Sequence, residues 1–329
     1  MLTWHSGAVS YLPNTQWRKL CLAVGFVTLA AACTQDASPL AADAPTTVTS
    51  RADRSETDAS PSSTAPIQSS TSTVVVPTTA TVAPTTTTTV EQRPFGSPSP
   101  EWLGTRLLPL RPSDGLGVAT PTPAELVDRE LWTVDVLEAP ASNEFVSSLT
   151  TPPPNEVLVR STWRQECPVG IDELTYGQVS FYGFDGLFHT GEFLVHRDFG
   201  EGIVDIFQTL HEVRFPIEEM RVTTQADVDA PRTGDDNNTS SFVCRNAVGS
   251  SRWSRHAHGG AIDINPFHNP FVRGDLVLPE LASAYIDRTN QRPGMVTPLV
   301  VSLFKDLGWG WGGDWSSAKD WQHFSASGT

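Results

Sequence analysis

Two short stretches, far apart in the chain, contain residue types that bind metals. Residues 254–263 read SRHAHGGAID, and residues 320–323 read DWQH. Imidazole and carboxylate groups are common zinc ligands, and a catalytic zinc site has three protein ligands and one open position. The first stretch alone is either two thirds of such a site or a tight turn that happens to be rich in histidine.

The local pattern around these residues predicts how they are held. The glycine pair allows a sharp turn, and residues 261–265 are expected to form a strand. Successive side chains of a strand point to opposite faces. The two isoleucines would therefore face the core, and Asp263 would lie on the open face with Ala261 and Asn265. The turn would bring His256 back towards this carboxylate.

Charge excludes one class of partner. The 329 residues include 37 acidic and 22 basic ones, a formal net charge of −15. Binding to nucleic acid needs clustered lysine and arginine to neutralise phosphates, so we expect no nucleic-acid partner.

The N-terminus is typical of an exported protein. Arg18 and Lys19 precede the apolar run LCLAVGFVTLAAA, which is short for a membrane span and ends directly before Cys33. Residues 1–33 are therefore predicted to be a signal peptide. Small residues before a cysteine resemble a bacterial lipoprotein processing site, which makes Cys33 the lipidated first residue and places the protein on the membrane of a bacterial cell envelope. The alternative is ordinary secretory cleavage.

Composition divides the rest of the chain into three parts. Residues 34–98 are rich in Thr, Ser, Pro and Ala and cannot bury enough apolar surface to fold, so they are predicted to be a disordered linker. Residues 99–160 are expected to form an extended arm with little regular structure. Residues 161–329 are predicted to be a compact α+β domain.

Four cysteines leave one pair in the domain. Cys21 lies in the predicted signal peptide and Cys33 at its end, so Cys167 and Cys244 remain. In an oxidising compartment these two are expected to form a disulfide, worth roughly 4 kcal/mol for so long a loop in the chain-entropy model. The alternative is metal ligation, although neither cysteine has local CxxC spacing.

Hydrophobic spacing predicts the main elements of the domain. We expect a hairpin over 176–199, a helix over 203–213, a short strand over 220–224 and a helix opened by Thr297 and Pro298. Leu299, Leu303 and Leu307 would share a face of that last helix, and Gly308 would end it. Four tryptophans, interleaved with glycines, follow, and some are expected to line a substrate groove. They are Trp309, Trp311, Trp315 and Trp321.

The motifs resemble those of a known enzyme family. Ser254-x-His256-x-x-Gly259-x-Ala261-x-Asp263 resembles the SxHxxGxAxD signature of VanY-like zinc D-alanyl-D-alanine carboxypeptidases and their L-alanyl-D-glutamate peptidase relatives. Asp320-x-x-His323-Phe324 resembles the DxxHF motif of the peptidoglycan-peptidase branch, whereas carboxypeptidases of the family often have Glu at the position of Asp320. The resemblance covers roughly residues 161–329.

The resemblance implies a fold and a set of roles. The fold would be the small α+β zinc-peptidase fold shared with the hedgehog signalling domain, with an antiparallel sheet and flanking helices. His256, Asp263 and His323 would be the Zn²⁺ ligands, and Asp320 the general base that passes a proton to the leaving amine. Arg245 would stabilise the oxyanion or anchor substrate.

Two further residues take roles from their motif positions. Ser254 matches a position that contacts substrate, and His258 is expected to line the cleft. The other histidines are expected to be packed or solvated. They are His5, His189, His196, His211 and His268.

The implied activity is hydrolysis of peptide bonds involving D-amino acids in peptidoglycan stem peptides. The sequence leaves open whether the bond is that of a carboxypeptidase or of an endopeptidase. A different class also stays open, since the hedgehog domain shows that this fold can serve as a non-catalytic, metal-containing binding module. We expect a monomer.

Overall fold

The structure is a computed structural model that describes residues 93–329. The predicted signal peptide with Cys33, the histidine at position 5 and nearly all of the predicted linker lie outside the described residues. Within the described part, no helix combines the length and the apolar composition that a bilayer crossing needs.

The architecture is mixed α and β, as predicted. Short 3-10 turns add to these elements, among them Arg197–Phe199, Arg255–His258 and Gly312–Asp314. The helices are α1 (Asn155–Arg160), α2 (Gly200–Glu212), α3 (Gln225–Asp229) and α4 (Pro298–Asp306). The strands are β1 (Ser147–Thr150), β2 (Leu174–Tyr182), β3 (Phe188–His196), β4 (Ala261–Asp263), β5 (Phe271–Arg273), β6 (Leu276–Leu278), β7 (Gly310–Trp311), β8 (Lys319–Asp320) and β9 (His323–Ser325).

The strands form three small antiparallel sheets. Their orders are β1-β2-β3, β4-β9-β7 and β6-β5-β8. The second sheet pairs a strand from the histidine-rich stretch with one from the C-terminal motif. This pairing brings the two ends of the candidate site together.

The β2–β3 hairpin and α2 form the centre of the domain. Alternate β2 residues point to opposite faces, so Val179 and Phe181 pack with α2 while Leu174 and Tyr176 pack on the other side with Phe242. The predicted hairpin and the predicted helix over 203–213 are confirmed. Both faces of the hairpin are covered, which makes it a rigid support for the segments that follow.

Helix α4 is confirmed, but its buried face differs from the expected one. Thr297 caps it, because its hydroxyl accepts a hydrogen bond from the amide of Val300, and Gly308 follows its end with φ +85°. The fully buried residues of α4 are Val300 and Phe304, whereas Leu299 is 42% exposed. The leucine spacing identified the helix but marked the flank of its buried face.

The predicted strand over 220–224 is wrong. Met220 and Val222 are buried, as the alternation suggested, but no ladder forms there. Thr224 instead caps α3, which begins at the next residue, Gln225.

Residues 93–160 pack against the domain. Strand β1 extends the β2–β3 sheet, and Leu126 and Leu131 are buried against Phe267. The first described residues are also held, because the amide of Ser97 donates to Glu130 at 2.9 Å. Composition alone assigns residues 93–98 to the linker, but in the structure this segment contacts residues of the 99–160 segment.

Candidate metal centre

His256 is positioned by the 3-10 turn Arg255–His258. The hydroxyl of Ser254 caps the turn by accepting a hydrogen bond from the amide of His256 at 3.3 Å. Gly259 ends it with φ +65°, and a Cβ at this position would lie 2.4 Å from the backbone nitrogen of His196. Only glycine fits both the backbone angle and the space, which explains the glycine after the second histidine.

The register of β4 and β9 positions the other two side chains. Asp263 pairs directly with His323, so both project from the same face of the sheet. β4 ends at Asp263, and the predicted strand over 261–265 is too long by two residues. Asn265 has φ +40° and is fully buried, with its amide donating to Pro216 and Gly294. Asn265 therefore does not share the open face with Asp263.

The side chains of His256, Asp263 and His323 converge on one point, and these three residues are called the metal cluster below. His256 Nε2 lies 3.2 Å from His323 Nδ1 and 3.2 Å from Asp263 Oδ2, and His323 Nδ1 lies 2.9 Å from Asp263 Oδ1. Ligands about 2.0–2.1 Å from a tetrahedral zinc are about 3.3 Å apart. The donor atoms are therefore spaced as a zinc site requires, and among residues 93–329 they form the one group that could hold a metal ion.

Protonation also suits a metal. His256 Nδ1 donates to the carbonyl of Ser241, so the proton released on metal binding comes from Nε2, whose lone pair then faces the other two groups. Burial would raise the pKa of Asp263, but the charge of His256 and hydrogen bonds from His256 and His323 hold that pKa far below its usual range. Asp263 is thus a carboxylate with both oxygens turned towards the histidines.

Asp320 is a second, different carboxyl group beside this cluster. Its Oδ1 is buried without a hydrogen-bond partner among the described residues. Burial raises the pKa of Asp320 to about 7, with the Asp263 charge adding to the increase and the charges of His323 and Arg245 opposing it. A carboxyl with this pKa can both accept and donate a proton near neutral pH.

Gly312 makes room for Asp320. A Cβ on Gly312 would lie 2.5 Å from the carbonyl oxygen and 2.7 Å from the Cβ of Asp320. Any larger residue would push the carboxyl group out of its position. Gly312 therefore contributes to the site through its lack of a side chain, which no motif in the sequence indicates.

Arg245 lies within electrostatic reach of Asp320, since its charge lowers the pKa of that group. The predicted disulfide between Cys167 and Cys244 is confirmed, with a Cα–Cα distance of 5.8 Å. The amide of Cys244 also donates to Thr162 Oγ1 at 2.8 Å. The backbone directly before Arg245 is therefore fixed by a covalent bond and a hydrogen bond.

Ser254 and His258 lie at the edge of the cluster. Ser254 is 8% exposed, and its hydroxyl caps the turn that contains His256. His258 is outside the three-residue group and borders a surface cavity of about 350 Å³ with His196 and Arg255.

The described histidines outside the cluster have other environments. His268 is fully buried and donates through Nε2 to Arg129 O at 2.8 Å. His189 bridges Asp135 and Asp185. His211 packs against Phe188 with a ring-centroid distance of 4.4 Å, and His196 is partly exposed beside Asp198.

The tryptophans divide between core and site. Trp309 is 3% exposed and belongs to the core, where it meets Phe304. Trp315 is half-buried, with its ring centroid 5.6 Å from that of His323. Trp311 donates through Nε1 to Trp321 O at 3.0 Å. Of the four, Trp315 is the one with a described ring contact to a metal-cluster residue.

Two neighbouring serines contribute contacts that sequence reasoning missed. Ser241 supplies the carbonyl that orients His256, and Ser240 forms a bridge with Asp263. Nothing in the local pattern of residues 240–241 indicates these contacts, because the partner residues lie 15 or more positions further along the chain. A carbonyl acceptor can also come from any residue type.

One comparison with known proteins gives a match. The model of a family described as D-alanyl-D-alanine carboxypeptidase matches residues 248–326. The matched stretch contains all three residues of the metal cluster, together with Asp320 and Ser254. The searches of curated proteins and of solved structures returned no match.

Proposed function

We propose that this chain is a zinc peptidase that hydrolyses peptide bonds involving D-amino acids in peptidoglycan stem peptides. The observation that carries the proposal is the convergence of His256, Asp263 and His323 beside the buried carboxyl of Asp320. The family match over residues 248–326 supports the same activity. The proposal includes the L-alanyl-D-glutamate peptidase branch and the hedgehog-type fold, both of which rest on the sequence motifs.

His256 Nε2, His323 Nδ1 and the Asp263 carboxylate would hold the metal. Their spacing and protonation fit zinc, and the Nδ1 hydrogen bond of His256 fixes its ring. When bound, zinc supplies Lewis-acid chemistry, because it acidifies a water molecule and polarises a carbonyl group.

Asp320 would move the proton. Its carboxylate accepts a proton from the attacking water, and the resulting carboxylic acid donates that proton to the nitrogen of the leaving amine. A pKa of about 7 suits both steps. The Oδ1 of Asp320, which has no hydrogen-bond partner among residues 93–329, leaves one oxygen free for this exchange.

Arg245 and Trp315 would act on the substrate. Arg245 is a cation close enough to Asp320 to lower the pKa of that group, and it can stabilise the negative charge that develops on the attacked carbonyl. Trp315 supplies a flat wall next to His323. Ser254, which caps the turn of His256, would contact the substrate from the edge of the site.

Product analysis tests the proposal and identifies the bond. The full-length, zinc-loaded chain is incubated with a muramyl pentapeptide, and the masses of the products are measured by mass spectrometry. Loss of the terminal D-alanine would identify a carboxypeptidase, and cleavage between L-alanine and D-glutamate an endopeptidase. Binding of peptide without any product would reject the enzyme and favour a metal-containing binding module.

We also propose that the protein is exported and anchored by a lipid on Cys33. The charged and apolar pattern of residues 18–33 supports this location, and the disulfide fits an oxidising compartment. Expressed in bacteria, the wild-type chain should sediment with membranes and Cys33→Ser should be released. A Cys33→Ser protein that still sediments with membranes would reject the anchor, and Cys21→Ser is the matched control.

A further inference from the structure

Ser240 lies beside the metal cluster through a backbone pairing. Its amide donates to Asp263 O at 3.1 Å, and the amide of Asp263 donates to Ser240 O at 2.8 Å. Two antiparallel residues that exchange both hydrogen bonds have Cα atoms about 5.5 Å apart and side chains on the same face. Because Asp263 pairs on its other side with His323, the three side chains stand in a row on one face.

The hydroxyl of Ser240 is free to bind a ligand. Ser240 is half-buried, and its Oγ makes no hydrogen bond to any residue in the described part of the chain. Asp263 does not engage it, since both oxygens of that carboxylate are turned to the histidines. The adjacent Ser241 is different, because it is 3% exposed and its hydroxyl donates to Leu194 O.

A neutral serine hydroxyl is not a usual zinc ligand, so membership of the metal cluster does not account for Ser240. It carries one donor and two acceptor sites. A small polar group on the open face, next to the point where the donor atoms converge, is placed to meet the backbone of a bound peptide.

We propose that Ser240 is a substrate-binding residue whose hydroxyl donates a hydrogen bond to a carbonyl or carboxylate oxygen of the peptide held at the metal cluster. This inference rests on the proposed function, because it takes the peptide as the ligand. It adds a contact from outside the two metal-binding motifs and outside the residues that the family match covers.

The test is Ser240→Ala in the full-length, zinc-loaded chain, with kcat and KM for a muramyl pentapeptide measured separately. Loss of one hydrogen bond to the substrate should raise KM about 2- to 12-fold. The zinc affinity, measured by competition with a chelator, and the thermal unfolding midpoint should stay those of the wild type. Ser240→Thr, which keeps the hydroxyl, should retain a KM near the wild-type value. Ser148→Ala, on an exposed strand of another sheet, is the matched control.

The outcomes separate the inference from the proposed function. Unchanged kinetics in Ser240→Ala, with an active wild type, would overturn the role of Ser240 and leave the peptidase standing. A weaker zinc affinity that accounts for the lost activity would show a structural role instead. If the wild type releases no product, peptide binding is measured calorimetrically, and equal affinity in wild type and Ser240→Ala would reject the contact. A wild type that neither cleaves nor binds the peptide would reject both proposals.

Discussion

At the scale of single residues, the site depends on two aspartates with opposite environments. Asp263 faces two imidazole rings, and their charge and hydrogen bonds keep its pKa low despite burial. Asp320 is buried, its Oδ1 has no hydrogen-bond partner in the described part of the chain, and its pKa rises to about 7. Two carboxyl groups whose surroundings separate their pKa values in this way can divide the work of a hydrolase, one as a permanent ligand and one as a proton carrier.

Replacement of Asp320 by asparagine keeps the size of the side chain and removes the proton acceptor. We expect kcat for a stem peptide to fall about 10²- to 10⁴-fold, the usual contribution of general acid–base catalysis. Zinc affinity should change little, because Asp320 is not in the three-residue cluster. Rates by product release and affinity by chelator competition check this, and a kcat within about threefold of the wild type would remove Asp320 from the mechanism.

The sequence predicted individual residues where a motif specified them. His256, Asp263 and His323 stand at the motif positions that the family resemblance marks as metal ligands, and the structure brings them together. Ser241 acts through its carbonyl and Gly312 through its lack of a Cβ. Neither property leaves a pattern in a single sequence, because each depends on a neighbour that folding supplies.

At the scale of elements, the β4–β9 pairing joins the two motifs. Asp263 in the first motif and His323 in the second are 60 residues apart in the sequence. Ile262 and Phe324 pair on the opposite face and are fully buried in the core. The same two strands therefore carry the metal cluster on one side and the core on the other. Because a slip of one residue would exchange the two faces, core packing also fixes the register of the ligands.

Removal of the Phe324 ring tests this coupling. Its centroid lies 4.0 Å from that of Phe304, and both rings are fully buried. Phe324→Ala should lower the free energy of unfolding by about 3–5 kcal/mol. It should also weaken zinc binding, because His323 precedes it on the strand. Urea unfolding and chelator competition measure the two effects, with Leu299→Ala on the exposed flank of α4 as a control expected to change little. Zinc affinity equal to the wild type would contradict the coupling.

Elements were predictable where hydrophobic spacing is local. The β2–β3 hairpin, α2 and α4 follow from period and from turn or cap residues. The segment 220–224 has strand-like alternation but finds no partner for a ladder, and pairing is a tertiary property. The interleaved glycines near Trp309 suggested a groove, whereas packing against Phe304 places that ring in the core.

At the scale of the whole molecule, a buried polar network joins residues 93–160 to the domain. Arg129 donates from Nε to Glu218 at 2.8 Å, and Asn237 donates to the same carboxylate at 2.8 Å. His268 accepts from Asn237 through Nδ1 and donates to Arg129 O through Nε2. Both ring nitrogens have hydrogen-bond partners when the imidazole is neutral, so the buried network favours the neutral form.

Folding stability should therefore depend on pH through His268. Burial lowers the pKa of His268 from 6.5 to about 4. Between these values the unfolded chain binds a proton that the folded chain does not, so stability falls as pH drops through the window, by about 3 kcal/mol in total. Urea unfolding at several pH values measures the loss. His268→Asn should lack this component, and equal pH dependence in variant and wild type would contradict the assignment.

The central claim is that one metal ion, bound by His256, Asp263 and His323, is needed for cleavage of a stem peptide. The most direct measurement is a zinc titration of the metal-free, full-length chain, with cleavage of a muramyl pentapeptide followed by mass spectrometry. We predict that activity rises linearly and stops rising at about one zinc per chain, as expected for a tight three-ligand site, and that Asp263→Ala shows no such rise. Cleavage that proceeds equally without zinc, or no cleavage at any zinc concentration, would contradict the account.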